Sequence, residues 1–250
     1  MNDPLIVLVT GGSRGIGAAT ALQCARAGYD VAVNYARDAA AAESVVGAVR
    51  ALGRRAIAIG ADVSQEADVL AMFAAVDAQL GPLTALVNNA GVVDVAQRID
   101  AMSVERLTRM FGINVVGSIL CAREAVRRMS TLHGGRGGAI VNLSSAAARL
   151  GAPGQYVDYA AAKGAIDTFT LGLAREVATE GIRVNAVRPG IIETEIHASG
   201  GQPDRAAQMA PQVPMRRAGS ADEVAAAIVW LLSDAASYAT GTVIDVTGGR

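Results

Sequence analysis

The sequence predicts a single α/β domain in which a seven-stranded parallel sheet lies between two layers of helices. Three observations lead to this prediction. Short, continuously apolar runs alternate with longer helical patterns along the whole chain. Because these runs do not alternate between polar and apolar residues, they are typical of strands that helices cover on both faces. The length, 250 residues, is ordinary for one α/β domain, so residues 1–250 are assigned to one unit.

The first half of the chain predicts three strand–helix pairs and a fourth strand. The β-branched and apolar runs lie at 5–10, 31–35, 56–60 and 85–89. Helical patterns follow the first three strands, near 15–28, 38–52 and 66–80. Glycine adopts the left-handed backbone that ends many helices, so Gly28, Gly53 and Gly81 mark the predicted helix ends.

The second half continues the alternation. A long helix is predicted near 103–129, then a strand at 139–144, a helix near 158–180 that ends at Gly181, and a strand at 182–187. Ser220 and Glu223 have the spacing of a capping box before the last helix, 221–232, and the last strand is 242–246. Right-handed crossovers through the helices would join the parallel strands.

A long segment after the strand at 182–187 breaks this alternation. Residues 191–220 are rich in Gly and Pro and follow the carboxyl end of a strand, where open parallel sheets bind ligands. We expect a substrate lid at about 191–215, because Ile191, Ile192, Ile196, Met209 and Met215 would give it apolar surface to fold over a ligand. The alternative is a disordered loop.

Composition argues against several classes of protein. The 22 basic and 23 acidic residues lack the basic surplus of a nucleic-acid binder. There is neither a signal-like start nor an apolar run of about 18 residues, so a soluble, cytoplasmic protein without membrane partners is expected. Cys24 and Cys121 are predicted to be buried free thiols, and His133 and His197 are isolated, so no metal site is predicted.

The segment "TGGSRGIG" at 10–17 follows the first strand and leads into the first helix. Gly11, Gly15 and Gly17 would let backbone N–H groups and a helix N-terminus approach a pyrophosphate, which favours dinucleotide binding over a plain turn. The end of the second strand carries Asn34 and Tyr35 where an acidic residue would bind the ribose of NAD.

Two arginines near this predicted ribose site favour a different cofactor. Arg14 and Arg37 would bind a 2′-phosphate, so NADP is predicted in preference to NAD; ordinary solvated arginines are the alternative.

Taken together, the motifs resemble the short-chain dehydrogenase/reductase family over almost the whole chain. They are "TGGSRGIG", "DV" at 62–63, "NNAG" at 88–91, Asn114, the serines of "VNLSS", "YAAAK" at 159–163 and "RPG" at 188–190. The resemblance implies a Rossmann-like, doubly wound domain that transfers a hydride between NAD(P) and a carbonyl or alcohol. It also implies a homodimer or homotetramer formed through the helices at 103–129 and 158–180.

The resemblance further implies a set of cofactor contacts. Asp62 and Val63 would flank the adenine, Asn88, Ala90 and Gly91 the ribose, and the backbone at Pro189 and Gly190 the nicotinamide. The full predicted set is Gly11, Ser13, Arg14, Gly15, Ile16, Gly17, Asn34, Tyr35, Arg37, Asp62, Val63, Asn88, Ala90, Gly91, Tyr159, Lys163, Pro189, Gly190, Ile192 and Thr194.

"YVDYAAAK" contains two candidate proton donors. Lys163 lies four residues after Tyr159, so the two share a helix face, and the ammonium is expected to lower the phenol pKa from its ordinary value of about 10. Tyr156 lies seven residues before Lys163 and is expected to line the pocket or brace the loop. The alternative for the pair is an ordinary amphipathic helix face.

The predicted serine is Ser145, with Ser144 as the alternative. In the family the tyrosine commonly lies thirteen positions after the serine, whereas Tyr159 lies fourteen positions after Ser145, so one extra residue must be accommodated between them. The resemblance implies that Asn114 completes a water-linked proton route through Lys163. The alternative role for Ser145 is a loop cap, and the alternative role for Asn114 is an amide that bends a helix.

These residues predict an NADP-dependent reductase of ketones or aldehydes. A 3-oxoacyl-thioester reductase and a sugar dehydrogenase are the enzyme alternatives. A redox-sensing regulatory protein that binds NADP is the alternative of another class. The small-molecule substrate and the reaction direction stay open.

Overall fold

A computed structural model describes residues 4–196 and 200–250, so His197 and part of the predicted lid lie outside the described residues. The strands are β1 Leu5–Val9, β2 Tyr29–Tyr35, β3 Ala56–Gly60, β4 Ala85–Asn88, β5 Gly138–Leu143, β6 Ile182–Pro189 and β7 Val243–Val246. They form one parallel sheet in the order β3-β2-β1-β4-β5-β6-β7. The predicted sheet is therefore confirmed.

The described α-helices lie on both faces of the sheet. They are α1 Gly15–Arg26, α2 Ala39–Ala51, α3 Glu66–Gln79, α4 Val104–Phe111, α5 Ser118–Met129, α6 Ala147–Leu150, α7 Val157–Val177, α8 Arg205–Met209 and α9 Ala221–Leu232. A π-helical segment, Gly112–Gly117, joins α4 to α5. Short 3-10 turns occupy Ile99–Ala101, Thr131–His133, Ala178–Glu180, Ala210–Gln212 and Asp234–Ala236.

The predicted glycine helix ends and the predicted capping box are confirmed. Gly28, Gly53, Gly81 and Gly181 all have positive φ. Ser220 and Glu223 form both hydrogen bonds of the capping box at the start of α9. The sequence did not predict the short helices α6 and α8, because a single turn leaves too little periodicity to detect.

The second strand begins two residues earlier than predicted. Asp30 follows Tyr29 in β2 and is buried, a position that hydrophobic pattern alone assigns to a loop. Its carboxylate lies 2.8 Å from Arg54 and 2.7 Å from Arg55, so two cations compensate for the burial of its charge.

Two apolar clusters cover the faces of the sheet. The first packs α1, α2 and α9 on one face and contains Cys24. The second packs α3, α5 and α7 on the other and contains Cys121. Both cysteines are buried and free, and burial raises the pKa of each thiol to about 12, which confirms their prediction as core residues. Within the described ranges no helix is long and apolar enough to cross a membrane.

Candidate active site

Part of the predicted site lies together at the carboxyl ends of the central strands. A cavity of about 560 Å³ lies there, a volume within the range of small-molecule sites. Its lining includes Ser145, Tyr159 and Lys163, together with predicted cofactor residues from three segments: Ile16, Gly91, and Pro189, Gly190, Ile192 and Thr194. The order of the sheet changes direction between β1 and β4, which is where open α/β sheets bind ligands.

The glycine turn has the open backbone that a pyrophosphate needs. Gly11 and Gly15 have φ of +60° and +53°, and a Cβ on Gly17 would collide with the Gly11 carbonyl and the Asn89 side chain. Ser13 and Arg14 lie in the same turn. Side chains are therefore absent where a dinucleotide's phosphates would approach the start of α1, so the turn fits such a cofactor.

Asn89 was missed by the sequence reasoning. Its amide nitrogen donates to the carbonyls of Thr10 and Gly11, at 2.9 Å each. The Asn89 and Ala90 backbone N–H groups in turn donate to the Thr10 hydroxyl at 3.0 Å. The end of β4 therefore holds the glycine turn of β1 in shape, a role that only the spatial neighbourhood of the two strands reveals.

Asn34, which was predicted to be a cofactor residue, is buried beneath the glycine turn. It is only 2% exposed, and its Oδ1 accepts a hydrogen bond from the Gly11 N–H at 3.1 Å. Its amide nitrogen donates to the carbonyls of Tyr35, Ile59 and Ala61. The Asn34 side chain therefore supports the glycine turn from within the protein.

Asn88, which was predicted to line the ribose side of the cofactor, is bonded within the protein. The buried Asn88 amide donates to the Ser118 carbonyl at 3.0 Å and to Asn142 Oδ1 at 2.9 Å. Asn142 continues the network to the Thr170 hydroxyl at 2.9 Å. Asn88 thus ties β4 to α5 and β5 behind the cavity.

The residues at the predicted adenine end of the site differ in burial. Val63 is buried in the core, where a Cβ on Gly117 would lie 2.7 Å from its side chain. Asp62 accepts hydrogen bonds from the backbone and hydroxyl of Ser64, at 2.9 and 2.8 Å, and shapes an exposed turn. Tyr35 packs its ring against Gly60.

Two arginines lie at the surface near the end of β2. Arg37 is exposed after β2, and Arg14 is exposed in the glycine turn, with its Nε 3.9 Å from the Glu195 carboxylate. The first carboxylate after β2, that of Asp38, accepts a hydrogen bond from the Ala41 N–H at 2.9 Å and caps α2. That carboxylate is consequently engaged with the helix.

Gly91 leaves room for two polar side chains beside the cavity. A Cβ at this position would lie 2.7 Å from Asn114 Oδ1 and 3.5 Å from Lys163 Nζ. Asn114 lies in the π-helical segment and is fully buried. It accepts from the Val92 N–H at 3.1 Å and donates to the Val92 carbonyl at 3.0 Å, so it holds the chain after Gly91 in place. Such π-helical segments are frequent at functional sites.

The structure distinguishes the two serines. Ser144 is buried, and its hydroxyl donates to the Lys163 carbonyl at 3.2 Å. Ser145 is partly exposed and lines the cavity near the Tyr159 phenol, whose pKa the serine hydroxyl lowers. Its hydroxyl also accepts from the Ala147 N–H at 3.1 Å, which fixes the oxygen. Ser145 is therefore the serine that faces the reacting side chain.

Lys163 is buried beside Tyr159. Its Nζ donates to the Leu143 carbonyl at 2.7 Å and lies 5.7 Å from the centre of the Tyr159 ring. Burial lowers the pKa of Lys163 to about 8, partly opposed by the nearby Asp167 carboxylate. The ammonium is thus held by the end of β5 next to the phenol.

The expected fall in the Tyr159 pKa is not found in the chain alone. Burial raises the pKa of Tyr159 above its ordinary value, and the hydrogen bond with Ser145 lowers it only in part. Burial outweighs the stabilisation that sequence spacing suggested. The phenol is consequently protonated at neutral pH, which suits a proton donor.

Tyr156 precedes α7 and lines the same cavity, as one of its two predicted roles requires. The segment between Ser145 and α7 consists of α6 and a tight turn. Gly151, Ala152 and Gly154 in that turn have φ of 71°, 44° and 71°. Positive φ is rare for alanine, so this turn is the strained part of the segment.

The described part of the predicted lid is folded. Ile191, Val213 and neighbouring alanines form a small apolar cluster with Met209. Ile191, Ile192, Ile196 and Met209 line the cavity, whereas Met215 lines a neighbouring one and is exposed. Thr194 packs on the glycine turn, where a Cβ on Gly15 would lie 3.3 Å from its methyl group.

The chain is similar to known proteins over nearly its whole length. Residues 11–250 match the family model described as enoyl-(acyl carrier protein) reductase. The uncharacterized oxidoreductase YgfF of Escherichia coli is 57% identical over 245 residues, 98% of this chain and 99% of the relative.

Two further similarities support the same relationship. A 3-oxoacyl-(acyl-carrier-protein) reductase, FabG, of Staphylococcus aureus is 40% identical over 242 residues, 97% of this chain and 96% of the relative. The crystal structure of a short-chain type dehydrogenase/reductase from Mycobacterium marinum superposes with a TM-score of 0.91 at 35% identity, covering 98% of this chain and 94% of that one.

Proposed function

This chain belongs to the short-chain dehydrogenase/reductase family of oxidoreductases that act on CH–OH groups, and we propose that it is an NADP-dependent reductase of ketones or aldehydes. The observation that carries the proposal is the meeting of Ser145, Tyr159 and Lys163 in one cavity. A regulatory protein that binds the cofactor but catalyses no reaction would not require these three side chains to lie together.

The chain's own residues would complete the reduction of a carbonyl. The nicotinamide, when bound, supplies the hydride. Ser145 donates a hydrogen bond to the carbonyl oxygen as negative charge develops there, and Tyr159 donates the proton that completes the alcohol. Lys163, held by the Leu143 carbonyl, keeps a positive charge beside the resulting phenolate. Asn114 fixes the backbone after Gly91, where the cofactor's ribose would bind.

The preference for NADP is proposed from the charges around the end of β2. The Asp38 carboxylate caps α2, and Asn34, the last residue but one of β2, is buried beneath the glycine turn. Arg14 and Arg37 are the exposed cations nearby, and guanidinium groups bind phosphate in bidentate fashion. Arg37→Ala is expected to weaken NADPH binding about tenfold or more and NADH binding little. Equal weakening of both in a fluorescence titration would refute the assignment.

Assembly and location are proposed with the function. Phe111, Val116 and Ile119 are exposed apolar residues along the helical stretch from α4 to α5. They would pair with a second copy, in keeping with the predicted homodimer or homotetramer, and a cytoplasmic location is proposed.

The test of the activity is NADPH oxidation across ketones, aldehydes, 3-oxoacyl thioesters, enoyl thioesters and sugars. Tyr159→Phe is expected to abolish turnover without weakening NADPH binding more than about threefold, because it removes only the transferable proton. Tyr238→Phe is the matched control, since Tyr238 is fully exposed.

The pattern of active substrates decides between the alternatives. Turnover confined to 3-oxoacyl thioesters would favour the activity named for the Staphylococcus aureus relative. NADPH binding without oxidation by any substrate of the panel would contradict the proposed function.

A further inference from the structure

Arg205 is a cation at the lid end of the cavity that the reduction chemistry does not use. It is the first residue of α8, and its Cζ lies 5.2 Å from the centre of the Tyr156 ring. Its two terminal nitrogens donate to Gln202 Oε1 at 2.6 Å and to Gln155 Oε1 at 2.8 Å. The aromatic ring and the two amides together fix the guanidinium at the cavity wall.

The charge of Arg205 faces a cavity whose described lining residues include no acidic group. The described lining residues include the cations Lys163, Arg205 and Arg250, and none of them is Asp or Glu. Lys163 is directed at the Leu143 carbonyl, and Arg250 also borders the neighbouring cavity, which contains Glu223 and Asp245. The hydrogen-bond acceptors that Arg205 has are neutral amide oxygens, so they orient its charge without neutralising it.

We propose that Arg205 binds a carboxylate on the substrate, so that the enzyme prefers oxo acids to neutral ketones. The inference rests on the proposed reductase function. A guanidinium has five N–H donors, and the two amides occupy two of them, so donors remain for a carboxylate.

The position of Arg205 limits the size of the substrate. Tyr156, against which it stacks, lies three residues before the proton donor Tyr159. Tyr156, Tyr159 and Arg205 line the same cavity of about 560 Å³. The reduced carbonyl and the carboxylate would therefore belong to one small molecule held within this cavity.

The test compares oxo acids with their neutral esters. The substrates are 4-oxopentanoate, 5-oxohexanoate and 6-oxoheptanoate, each with its methyl ester, and the readout is kcat/KM with saturating NADPH. Arg205→Gln is expected to lower kcat/KM for the best acid by about 10- to 100-fold and for its ester by less than about threefold, because a charge-assisted hydrogen bond is lost only with the acid. Arg205→Lys should retain part of the preference for acids, since lysine keeps the positive charge but lacks the paired N–H donors of a guanidinium.

Arg216→Gln is the matched control. Arg216 is an exposed arginine of the same segment that bonds the Pro211 carbonyl and is not among the residues that line the cavity. This variant removes the same charge and is expected to leave both substrate series unchanged.

Two kinetic results would overturn the proposal. If Arg205→Gln lowers kcat/KM equally for acids and esters, Arg205 only holds the lid segment against Tyr156 and does not bind a carboxylate. A raised KM for NADPH with an unchanged preference for acids would mean that it serves the cofactor.

Calorimetry separates this inference from the proposed function, because it needs no turnover. The wild-type protein with NADP⁺ should bind 5-oxohexanoate more tightly than its ester, and Arg205→Gln should not. If the acid binds more tightly than the ester but no oxo substrate is reduced, the reductase function is refuted and the carboxylate site is supported. Equal binding of acid and ester would refute the site.

Discussion

Replacing Lys163 with methionine should change how the stability of the protein depends on pH. The Lys163 side chain is 4% exposed, and burial lowers its pKa from 10.5 to about 8. Below pH 8 both the folded and unfolded chains hold the proton, so the full cost of burying the charge opposes folding. Between pH 8 and 10.5 the folded protein releases the proton while the unfolded chain keeps it, so stability rises with pH.

The size of this effect follows from the shift. Each pKa unit corresponds to about 1.4 kcal/mol, so the stability of the wild-type protein relative to Lys163→Met should rise by about 2 kcal/mol between pH 7 and pH 9.5. The lost hydrogen bond to Leu143 and the change in packing are the same at both pH values and cancel in this comparison.

The assay is urea unfolding of both proteins at the two pH values, without cofactor. The lowered Lys163 pKa would be refuted if the difference in unfolding free energy between the wild type and Lys163→Met were the same at both pH values. It would also be refuted if the wild type were relatively less stable at pH 9.5 than at pH 7. Lys163→Arg cannot serve as the partner variant, because arginine keeps its charge at both pH values.

Two further predictions concern buried polar groups outside the reacting trio. Asn34→Ala should lower the free energy of unfolding in urea by about 2–4 kcal/mol and weaken NADPH binding, since it removes the hydrogen bond that supports Gly11. Lost stability with unchanged NADPH affinity would contradict this supporting role. Asp158→Ala should cost about 3–5 kcal/mol, because it leaves the buried Arg106 without the carboxylate it contacts at 2.7 Å. Arg106→Met/Asp158→Leu should recover most of that loss; if it does not, the cost is not that of an unpaired charge.

The sequence predicted the fold well because the fold depends on local patterns. Continuous apolar runs and glycine helix ends are local features, and they placed the seven strands to within a few residues. Asn34, Asn88 and Asn89 show where local reasoning fails. Each lies within one residue of the end of a strand, so the sequence pattern does not distinguish them. The pleat and the neighbouring strands direct Asn34 and Asn88 inward and Asn89 toward the glycine turn.

The phenol pKa shows a second limit of local reasoning. The four-residue spacing correctly brought Lys163 beside Tyr159, at 5.7 Å from its ring. Spacing carries no information about burial, and burial controls the titration of both groups. An electrostatic prediction from sequence therefore identifies the partners but not the direction of the net shift.

Three consecutive residues at the end of β5 contact α7 directly, so the position of its active-site side chains does not depend on the connecting segment alone. The Leu143 carbonyl accepts from Lys163 Nζ, the Ser144 hydroxyl donates to the Lys163 carbonyl, and Ser145 lies near enough to the Tyr159 phenol to lower its pKa. These contacts bypass the segment between Ser145 and Tyr159. We therefore expect that a change of one residue in the length of this segment leaves the site in place, provided that the turn at 151–154, where Ala152 has a φ of 44°, still closes.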